Sequence, residues 1–360
     1  MGSDRFYGSK TTFVVRPKPM LHMTGTPVDV ANHGTFLRDV ALVDVPAMLP
    51  MLLSLLEMQG RKLVRPEDRK GMNPFLIPIS EWDHGERLCY VRWPTMAENT
   101  ETGLDLQVVV TTPMGGIRLY AMNTDAMCRR MVAEIDFYGQ SGSTDAIEVL
   151  NKNEVKYTSG DYVPYLKSCK FNAITEDDLR LVLDRYLLTK VGPFPDCYER
   201  LATHFKSKDD VVSALVTCER AVSLFYGFGH PVSFHANMLM TSERVVEGKD
   251  AAKSALGMPL WTTADSKEDL DSVAKTAGYT GIDIIGEMHA YRASDSREEE
   301  LGDDLSKEQV ALDQAAHLMD AVVMGAVEGG WTKAVPEIAG KYAFSGFPDV
   351  AKFLLAYNEL

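Results

Sequence analysis

The sequence predicts an α+β fold: an N-terminal, mostly antiparallel sheet with covering helices, followed by an all-α helical array. Short segments rich in β-branched and aromatic residues occur up to about residue 139 and nearly vanish afterwards. Turn sequences separate the last four of these segments, which is typical of a meander of neighbouring strands. Beyond residue 143, glycine–aromatic pairs lie between long segments with helical periodicity, which favours packed helices.

The strand segments justify the sheet one by one. Cys89, Val91 and Trp93 alternate onto one face of their segment, as they would in a half-buried strand. The sequences "DHGE" at 83–86 and "TPMGG" at 112–116 supply turn residues between neighbouring segments. The predicted strands are 11–16, 75–80, 87–93, 104–112 and 116–122.

Two helices in this half are predicted to cover one face of the sheet. The first spans 45–59 and begins after Asp44, and the second spans about 124–138 and begins at Asn123 or Thr124. A sheet covered by helices on one face is an α+β layer. We therefore predict a sheet domain over residues 1–142 and an all-α domain over residues 143–360.

The second half is predicted to be helical throughout. Four glycine–aromatic pairs act as predicted helix stops, because glycine adopts the left-handed conformation and the aromatic ring packs back on the last turn. These pairs are Gly227-Phe228, Gly278-Tyr279, Gly330-Trp331 and Gly346-Phe347. The predicted helices vary too much in length to indicate a tetratricopeptide-type repeat. They are 175–190, 196–206, 208–226, 232–247, 249–257, 266–277, 306–328, 335–344 and 347–357.

Charge and cysteine content exclude some classes of partner and compartment. The formal net charge of −14 argues against nucleic acid as the main partner, because phosphate binding needs a basic face. The five cysteines are an odd number without close spacing, which indicates reduced thiols in an intracellular compartment. The most apolar stretch, residues 45–56, is too short to span a bilayer, so we predict no transmembrane segment.

Two histidines five residues apart, His230 and His235, are the first candidate site. Pro231 favours the first turn of a helix, so His230 is predicted to lie just outside the helix that contains His235. Apolar residues including Val245 and Val246 share the helical side of His235, which predicts a buried, hydrogen-bonded histidine. The alternative is a metal-binding or catalytic pair, although no second ligand motif lies nearby. We predict no cofactor.

Other titratable residues have simpler explanations. Asp313, His317 and Asp320 share one face of a helix whose opposite side is apolar, so they are predicted to be its solvent face. Glu287 and His289 are two residues apart and poorly placed for one site on a helix. The chain contains no Gly-x-Ser-x-Gly, His-Glu-x-x-His or dinucleotide-binding motif.

A run of charged residues at 294–304 is a second candidate site. A solvated loop is the simplest interpretation, and a docking segment for a basic protein partner is the alternative. The charged residues proposed for that role are Arg297, Glu298, Glu299, Glu300, Asp303 and Asp304.

Several sequence patches resemble an uncharacterised family of nucleus-encoded, plastid-directed proteins of plants and algae. They run through most of the chain in the same order: "NPFLIPIS" (73–80), "RWPT" (92–95), "KVGPFPDCYERL" (190–201), "DDVVSALVTCE" (209–219), "KDAAKSALGMPLWTT" (249–263) and "EQVALDQAAHLMD" (308–320). None of them is a catalytic signature. The resemblance implies a soluble chloroplast protein, in the stroma or on the stromal face of the thylakoid.

Three functions are compatible with these observations. The first is a non-catalytic accessory or structural protein whose helical domain docks onto a larger photosynthetic assembly, with peripheral attachment to a membrane complex allowed. The second is an enzyme or small-molecule binder with a cleft between the domains near His235, drawing on His230, Tyr226 or Cys218. The third is an assembly chaperone that binds its partner transiently.

Overall fold

The structure is a computed structural model that describes residues 28–94, 106–112, 115–139, 143–152, 156–168, 175–279 and 306–359. Four strands form one antiparallel sheet in chain order: β1 Leu76–Glu81, β2 Arg87–Val91, β3 Gln107–Thr111 and β4 Ile117–Ala121. Tyr90 of β2 pairs with Ile77 on one side and Val108 on the other. The predicted meander is therefore confirmed. The predicted strand at 11–16 lies outside the described residues.

Three helices accompany the sheet: α1 Val28–Asp39, α2 Leu49–Met58 and α3 Thr124–Phe137. Asn123 caps α3 as predicted, and its side chain accepts a 2.8 Å hydrogen bond from the amide of Ala126. The predicted start of α2 at Asp44 is wrong, because that residue is exposed in a loop and the helix begins five residues later. Pro50 fixes the first turn of α2 instead. α3 packs against α2, β3 and β4.

Eleven further helices are described, which confirms the α+β class with a helical second part. They are α4 Ser143–Lys152, α5 Val163–Ser168, α6 Glu176–Tyr186, α7 Pro195–Ser207, α8 Val211–Leu224, α9 Gly229–Met240, α10 Val245–Leu256, α11 Lys267–Ala277, α12 Lys307–Val323, α13 Gly330–Phe344 and α14 Pro348–Glu359. A π-helical turn, Leu187–Val191, extends α6. The sequence patterns missed α1, α4 and α5.

Three of the four glycine–aromatic pairs end helices as predicted. Gly227, Gly278 and Gly346 follow α8, α11 and α13 with φ of 88°, 102° and 88°. These left-handed values are ones that glycine adopts without steric cost. The prediction is wrong for Gly330, which begins α13.

A 34-residue repeat organises the first part of the helical array. The helix pair α7–α8 begins at Pro195 and the pair α9–α10 at Gly229, while their second helices begin at Val211 and Val245. Each pair is preceded by a buried phenylalanine at the helix N-cap, Phe194 and Phe228. Equal spacing of helices, turns and caps is the mark of a helix–turn–helix repeat.

The turns within the two repeats also match. Asp209 and Glu243 adopt the left-handed conformation, with φ of 59° and 65°. In each turn the next amide, of Asp210 or Arg244, donates a 3.0 Å hydrogen bond to the carbonyl five residues earlier. Glycine usually occupies this position at the end of a helix, but here the residue is acidic. The sequence pattern therefore does not show the break and predicts one helix in place of α9 and α10. The single helix predicted at 232–247 is wrong for this reason.

One large apolar cluster joins the sheet to both ends of the described chain. It includes Phe36 of α1, Ile77 of β1 and Phe353 of α14, all essentially buried. Two smaller clusters lie among helices of the repeat region. The domain boundary between residues 142 and 143 stays a prediction.

Candidate functional site

The two histidines of the first candidate site lie on the same helix. His230 is in the first turn of α9, so its predicted place outside the helix is wrong. Its Nε2 lies 3.0 Å from Glu199 Oε1 of α7, although the contact lacks hydrogen-bond geometry. His235 is half-buried, and burial lowers the pKa of its imidazole. Val245 and Val246 were predicted to share an apolar helix side with His235. This prediction is wrong, because both valines are exposed at the start of α10.

The other residues of the predicted cleft lie apart. Cys218 packs in the α7–α9 core beside Ala202 and Met238, and burial raises the pKa of its thiol to about 12. Tyr226 lies beyond the end of α8 with 73% of its surface exposed. No group of three or more histidine, cysteine or acidic side chains within the described residues is arranged to hold a metal ion. The metal and enzyme interpretations therefore stay hypotheses.

The predicted acidic stripe is wrong at one position. Asp320 is buried, and its Oδ1 accepts a 2.9 Å hydrogen bond from the amide of Leu260, where a short 3-10 turn begins. His317 is exposed, as predicted. The candidate docking loop, with Arg297, Glu298, Glu299, Glu300, Asp303 and Asp304, lies outside the described residues.

The glycine that precedes His230, Gly229, is required by close packing. Its amide donates a 3.0 Å hydrogen bond to Thr262 Oγ1, and a Cβ at this position would lie 2.1 Å from Thr263 Oγ1. Only glycine therefore allows the start of α9 to approach the 260–263 turn. Trp261 of that turn packs against Trp93, with ring centroids 5.0 Å apart. This contact joins the repeat region to the end of β2.

A closed ring of six alternating charges joins α3, α6 and α7. We call it the ionic ring, and it runs Arg130, Glu134, Arg180, Asp184, Arg200 and Asp196 before closing on Arg130. Each helix supplies one pair spaced by four residues, with N–O distances of 3.1 Å in α3, 3.3 Å in α6 and 2.9 Å in α7. The contacts between helices are 2.6 Å (α3 to α7), 3.0 Å (α6 to α3) and 2.7 Å (α7 to α6).

Each charge of the ionic ring lies beside opposite charges that offset the cost of its burial. Arg130 is 1% exposed, and although its burial opposes the charge, Asp196, Tyr120 and Glu134 raise its pKa. The pKa of Asp196 is likewise far below its usual value, since Arg130 and Arg200 outweigh its desolvation. A ring of three cations and three anions leaves no charge free to act on a substrate. It therefore acts as a joint between helices.

Two other buried arginines hold the C-terminal helix through hydrogen bonds to carbonyls and contacts with aromatic rings. Arg69 donates hydrogen bonds of 3.0 Å to the carbonyl of Pro74 and 2.7 Å to that of Phe353, and its guanidinium lies 4.2 Å from the Phe353 ring. Arg92 lies 5.3 Å from the same ring and donates to the carbonyl of Ala41. Burial lowers the pKa of each arginine to about 10. The carboxylate of Asp349 partly opposes the effect of burial on the pKa of Arg92. We call Arg69, Arg92 and α14 the C-terminal clamp.

An apolar surface occurs where the two 34-residue repeats turn. Lys206 Nζ donates to Thr241 Oγ1 (2.6 Å) and Ser242 Oγ (2.9 Å), which places both turns at one end of the array. Val212 and Val246, equivalent in the two repeats, are each 73% exposed. We define the valine surface as Val211, Val212, Val216, Val245 and Val246, all exposed.

Five other large apolar side chains among the described residues are exposed. They are Tyr138, Tyr226, Val310, Phe344 and Leu355. Single exposed apolar side chains are normal on protein surfaces. The members of the valine surface differ because they recur at equivalent positions in the two repeats, beside turns that Lys206 joins. The valine surface is therefore the best candidate for contact with a partner.

The fold and its surfaces define a helical-repeat protein built onto an antiparallel sheet. Family models match almost the whole described chain in three parts: PAB N-terminal over residues 31–168, PAB middle domain over 195–280 and PAB C-terminal domain over 285–357. The chain belongs to the PAB family. The two 34-residue repeats lie within the middle domain, and the C-terminal clamp joins the N-terminal and C-terminal parts.

A characterised relative covers nearly the same length. The chain is 34% identical over 327 residues to the Arabidopsis thaliana protein named "Protein IN CHLOROPLAST ATPASE BIOGENESIS, chloroplastic", a match spanning 90% of this chain and 91% of the relative. This confirms the predicted resemblance to a plastid family of plants. No solved structure matches the chain. Among the described residues, no helix combines the length and hydropathy that a membrane crossing requires.

Sequence reasoning missed the valine surface and the ionic ring. The pair Val211-Val212 recurs as Val245-Val246, so the 34-residue spacing was visible in the sequence. The ring was also partly visible, because each of its helices carries an arginine and an acidic residue four apart. The contacts that join the three pairs depend on the fold.

Proposed function

We propose that this chain is an accessory protein that assists assembly of the chloroplast ATPase. The supporting observation is the 34% identity with the Arabidopsis relative along 90% of the chain. Because the match includes all three family segments, the proposal covers the whole chain and not one shared domain.

The surface of the molecule favours transient binding. The valine surface consists of five exposed valines on two helices, which is a small apolar surface. An assembly factor must release its partner, so a small apolar surface suits this role better than that of a permanent subunit. A permanent structural subunit of a larger assembly, which the sequence also predicts, is the competing function.

The proposed location is the chloroplast, in the stroma or on the stromal face of the thylakoid. The relative's name places that protein in the chloroplast. Fractionation of intact chloroplasts, with immunodetection of this chain in the stroma and in salt-washed thylakoids, would test both the compartment and the attachment.

Genetic replacement tests the proposed function. The chain, carrying a plastid-targeting leader, would be expressed in Arabidopsis plants that lack the relative, and chloroplast ATPase abundance and ATP hydrolysis by isolated thylakoids would be measured. We expect both to recover. Failure of a stably accumulating chain to restore either one would contradict the proposal.

Native mass spectrometry separates an assembly factor from a structural subunit. An assembly factor should be absent from the purified mature ATPase and present, below stoichiometric amounts, with incomplete complexes. A fixed stoichiometry in the mature complex would instead establish a subunit. Copurification of a small molecule would favour the enzyme alternative.

A further inference from the structure

We propose that the valine surface binds a basic, apolar helix of the partner, which contacts both 34-residue repeats at once. The identity of the partner rests on the proposed function, whereas the basic and apolar character of its helix is argued from the valine surface itself. Each repeat presents the same unit: an acidic residue in the left-handed conformation, one intervening residue, and two exposed valines. The units are Asp209-Asp210-Val211-Val212 and Glu243-Arg244-Val245-Val246.

The acidic residues give the surface its charge preference. Asp210 is occupied as the N-cap of α8, and Arg244 forms an ion pair with Glu247 at 2.5 Å. Within the described residues, the carboxylates of Asp209 and Glu243 form neither an ion pair nor a side-chain hydrogen bond and are exposed. Apolar side chains beside unpaired anions favour a partner that offers apolar contacts and cations together.

The backbone shows that the acidic residues are retained at some cost in stability. A residue other than glycine is less stable than glycine in the left-handed conformation, because its Cβ approaches the backbone. A third turn of the array, after α11, uses Gly278 at the equivalent helix end and avoids this cost. Within the described residues, both turns that carry acidic residues continue into exposed valines. Function at these turns explains why glycine is absent from them.

An amphipathic helix fits this surface better than an extended chain. The two valine pairs lie at the starts of equivalent helices in successive repeats, and the described region offers no exposed strand edge beside them. A helix places apolar residues at intervals of three and four along one side and basic residues along its flanks. It can therefore contact both valine pairs and both carboxylates.

A peptide-binding experiment tests the inference directly. The probe is a fluorescent helical peptide of leucine and lysine only, and the control is the same peptide with glutamate in place of lysine. We expect the chain to bind the lysine peptide, with affinity that falls as salt is raised, and not to bind the glutamate peptide. Equal binding of the two peptides would overturn the inference.

Matched variants locate the binding. Val212→Ser with Val246→Ser should weaken binding on the order of tenfold for each valine removed. Tyr226→Ser, at a residue of equal exposure beyond the far end of α8, should leave binding unchanged. Equal binding by the double valine variant and the control would overturn the inference. Melting temperatures close to that of the native chain confirm that the variants are folded.

A second pair of variants separates binding from stability. Asp209→Gly with Glu243→Gly should raise the melting temperature by a few degrees, because the backbone cost is removed, and should still weaken binding of the lysine peptide. Unchanged peptide binding would exclude a role for the carboxylates. Expression of the double valine variant in plants lacking the relative then separates the two proposals: recovery equal to that of the native chain rejects this surface and leaves the proposed function intact.

Discussion

Two joints of this molecule bury arginine side chains in opposite ways. In the ionic ring, Arg130 is 1% exposed and lies between the carboxylates of Glu134 and Asp196. In the C-terminal clamp, Arg69 is fully buried and its hydrogen-bond partners are the carbonyls of Pro74 and Phe353. The first joint neutralises its charges, whereas the second spreads a charge over carbonyl dipoles and aromatic rings.

The difference shows how a buried charge can be accommodated and what removing it should do. The pKa of Arg130 is raised because nearby anions outweigh its burial, while the pKa of Arg69 falls to about 10 because its burial is not offset by an anion. Removing an arginine from the ring leaves three carboxylates with two arginines. Removing Arg69 from the clamp leaves carbonyl groups without a donor, which is less costly than leaving buried carboxylates underpaired.

The largest expected effect is that of Arg130→Met. Loss of one partner from a buried ion network costs about 3–5 kcal/mol. Glu134 and Asp196 would each lose one of their two arginine partners and keep only Arg180 and Arg200, respectively. Urea denaturation of the native chain and the variant would measure this change in the free energy of unfolding. Arg129→Met is the matched control, because its pair with Asp125 is exposed and is worth less than about 0.5 kcal/mol. Similar losses for both variants would refute the proposed role of the ring.

Arg69→Met should cost less. The variant loses two hydrogen bonds to carbonyls, for which we expect about 2 kcal/mol, and methionine fills the space against Phe353 with an apolar chain. The same urea titration gives the value. A loss as large as that of Arg130→Met would show that the clamp depends on its charge as strongly as the ring does.

A smaller effect should follow from Arg200→Lys. Arg200 donates to both oxygens of Asp184 at 2.7 Å and also contacts Asp196, which a lysine ammonium cannot do in one geometry. We expect a loss of about 1–2 kcal/mol by urea denaturation. Arg185→Lys, on α6, is the control, because Arg185 is not a member of the ring. An equal loss of unfolding free energy in this variant would contradict a specific role for the ring.

Low pH should destabilise the ionic ring but not the C-terminal clamp, and this should be the smallest effect of the series. The pKa values of Asp196 and Glu134 are lowered in the folded chain, so the unfolded chain takes up protons first as pH falls. Their contributions are complete above about pH 5 and are lost progressively below it, and Asp196 alone accounts for a loss of roughly 1 kcal/mol by pH 3. Unfolding free energies measured across this range should fall less steeply for Asp196→Asn. They should fall as steeply for Arg69→Met as for the native chain, and a flattened slope there would contradict the comparison.

Local sequence patterns were sufficient for the sheet and for most helices. Strand alternation and turn residues determine the order of β1 to β4, because both are properties of neighbouring residues. The start of α3 was predictable for the same reason, since Asn123 caps its own helix. Fold class follows from such local preferences once they are added along the chain.

Features that depend on distant residues were not predictable in the same way. Asp320 was predicted to face solvent, yet it is buried and accepts a hydrogen bond from Leu260, sixty residues away. The break between α9 and α10 was hidden because Glu243 adopts a conformation in which glycine is expected. The candidate site was missed for a related reason: the exposure of Val212 and Val246 depends on which helix faces are covered by neighbours.

The arrangement of the ionic ring also affects how the chain can be made. Within each of the three helices, the arginine of the ring lies four residues from an acidic residue of the ring. The ring pair of α3 is therefore already neutral when this helix leaves the ribosome. The first pair ends at Glu134 and the last begins at Asp196, and synthesis at about 5–20 residues per second separates them by several seconds. During that interval each ring residue already synthesised has a counter-charge within its own helix. The joint can therefore close last, once α7 has been synthesised.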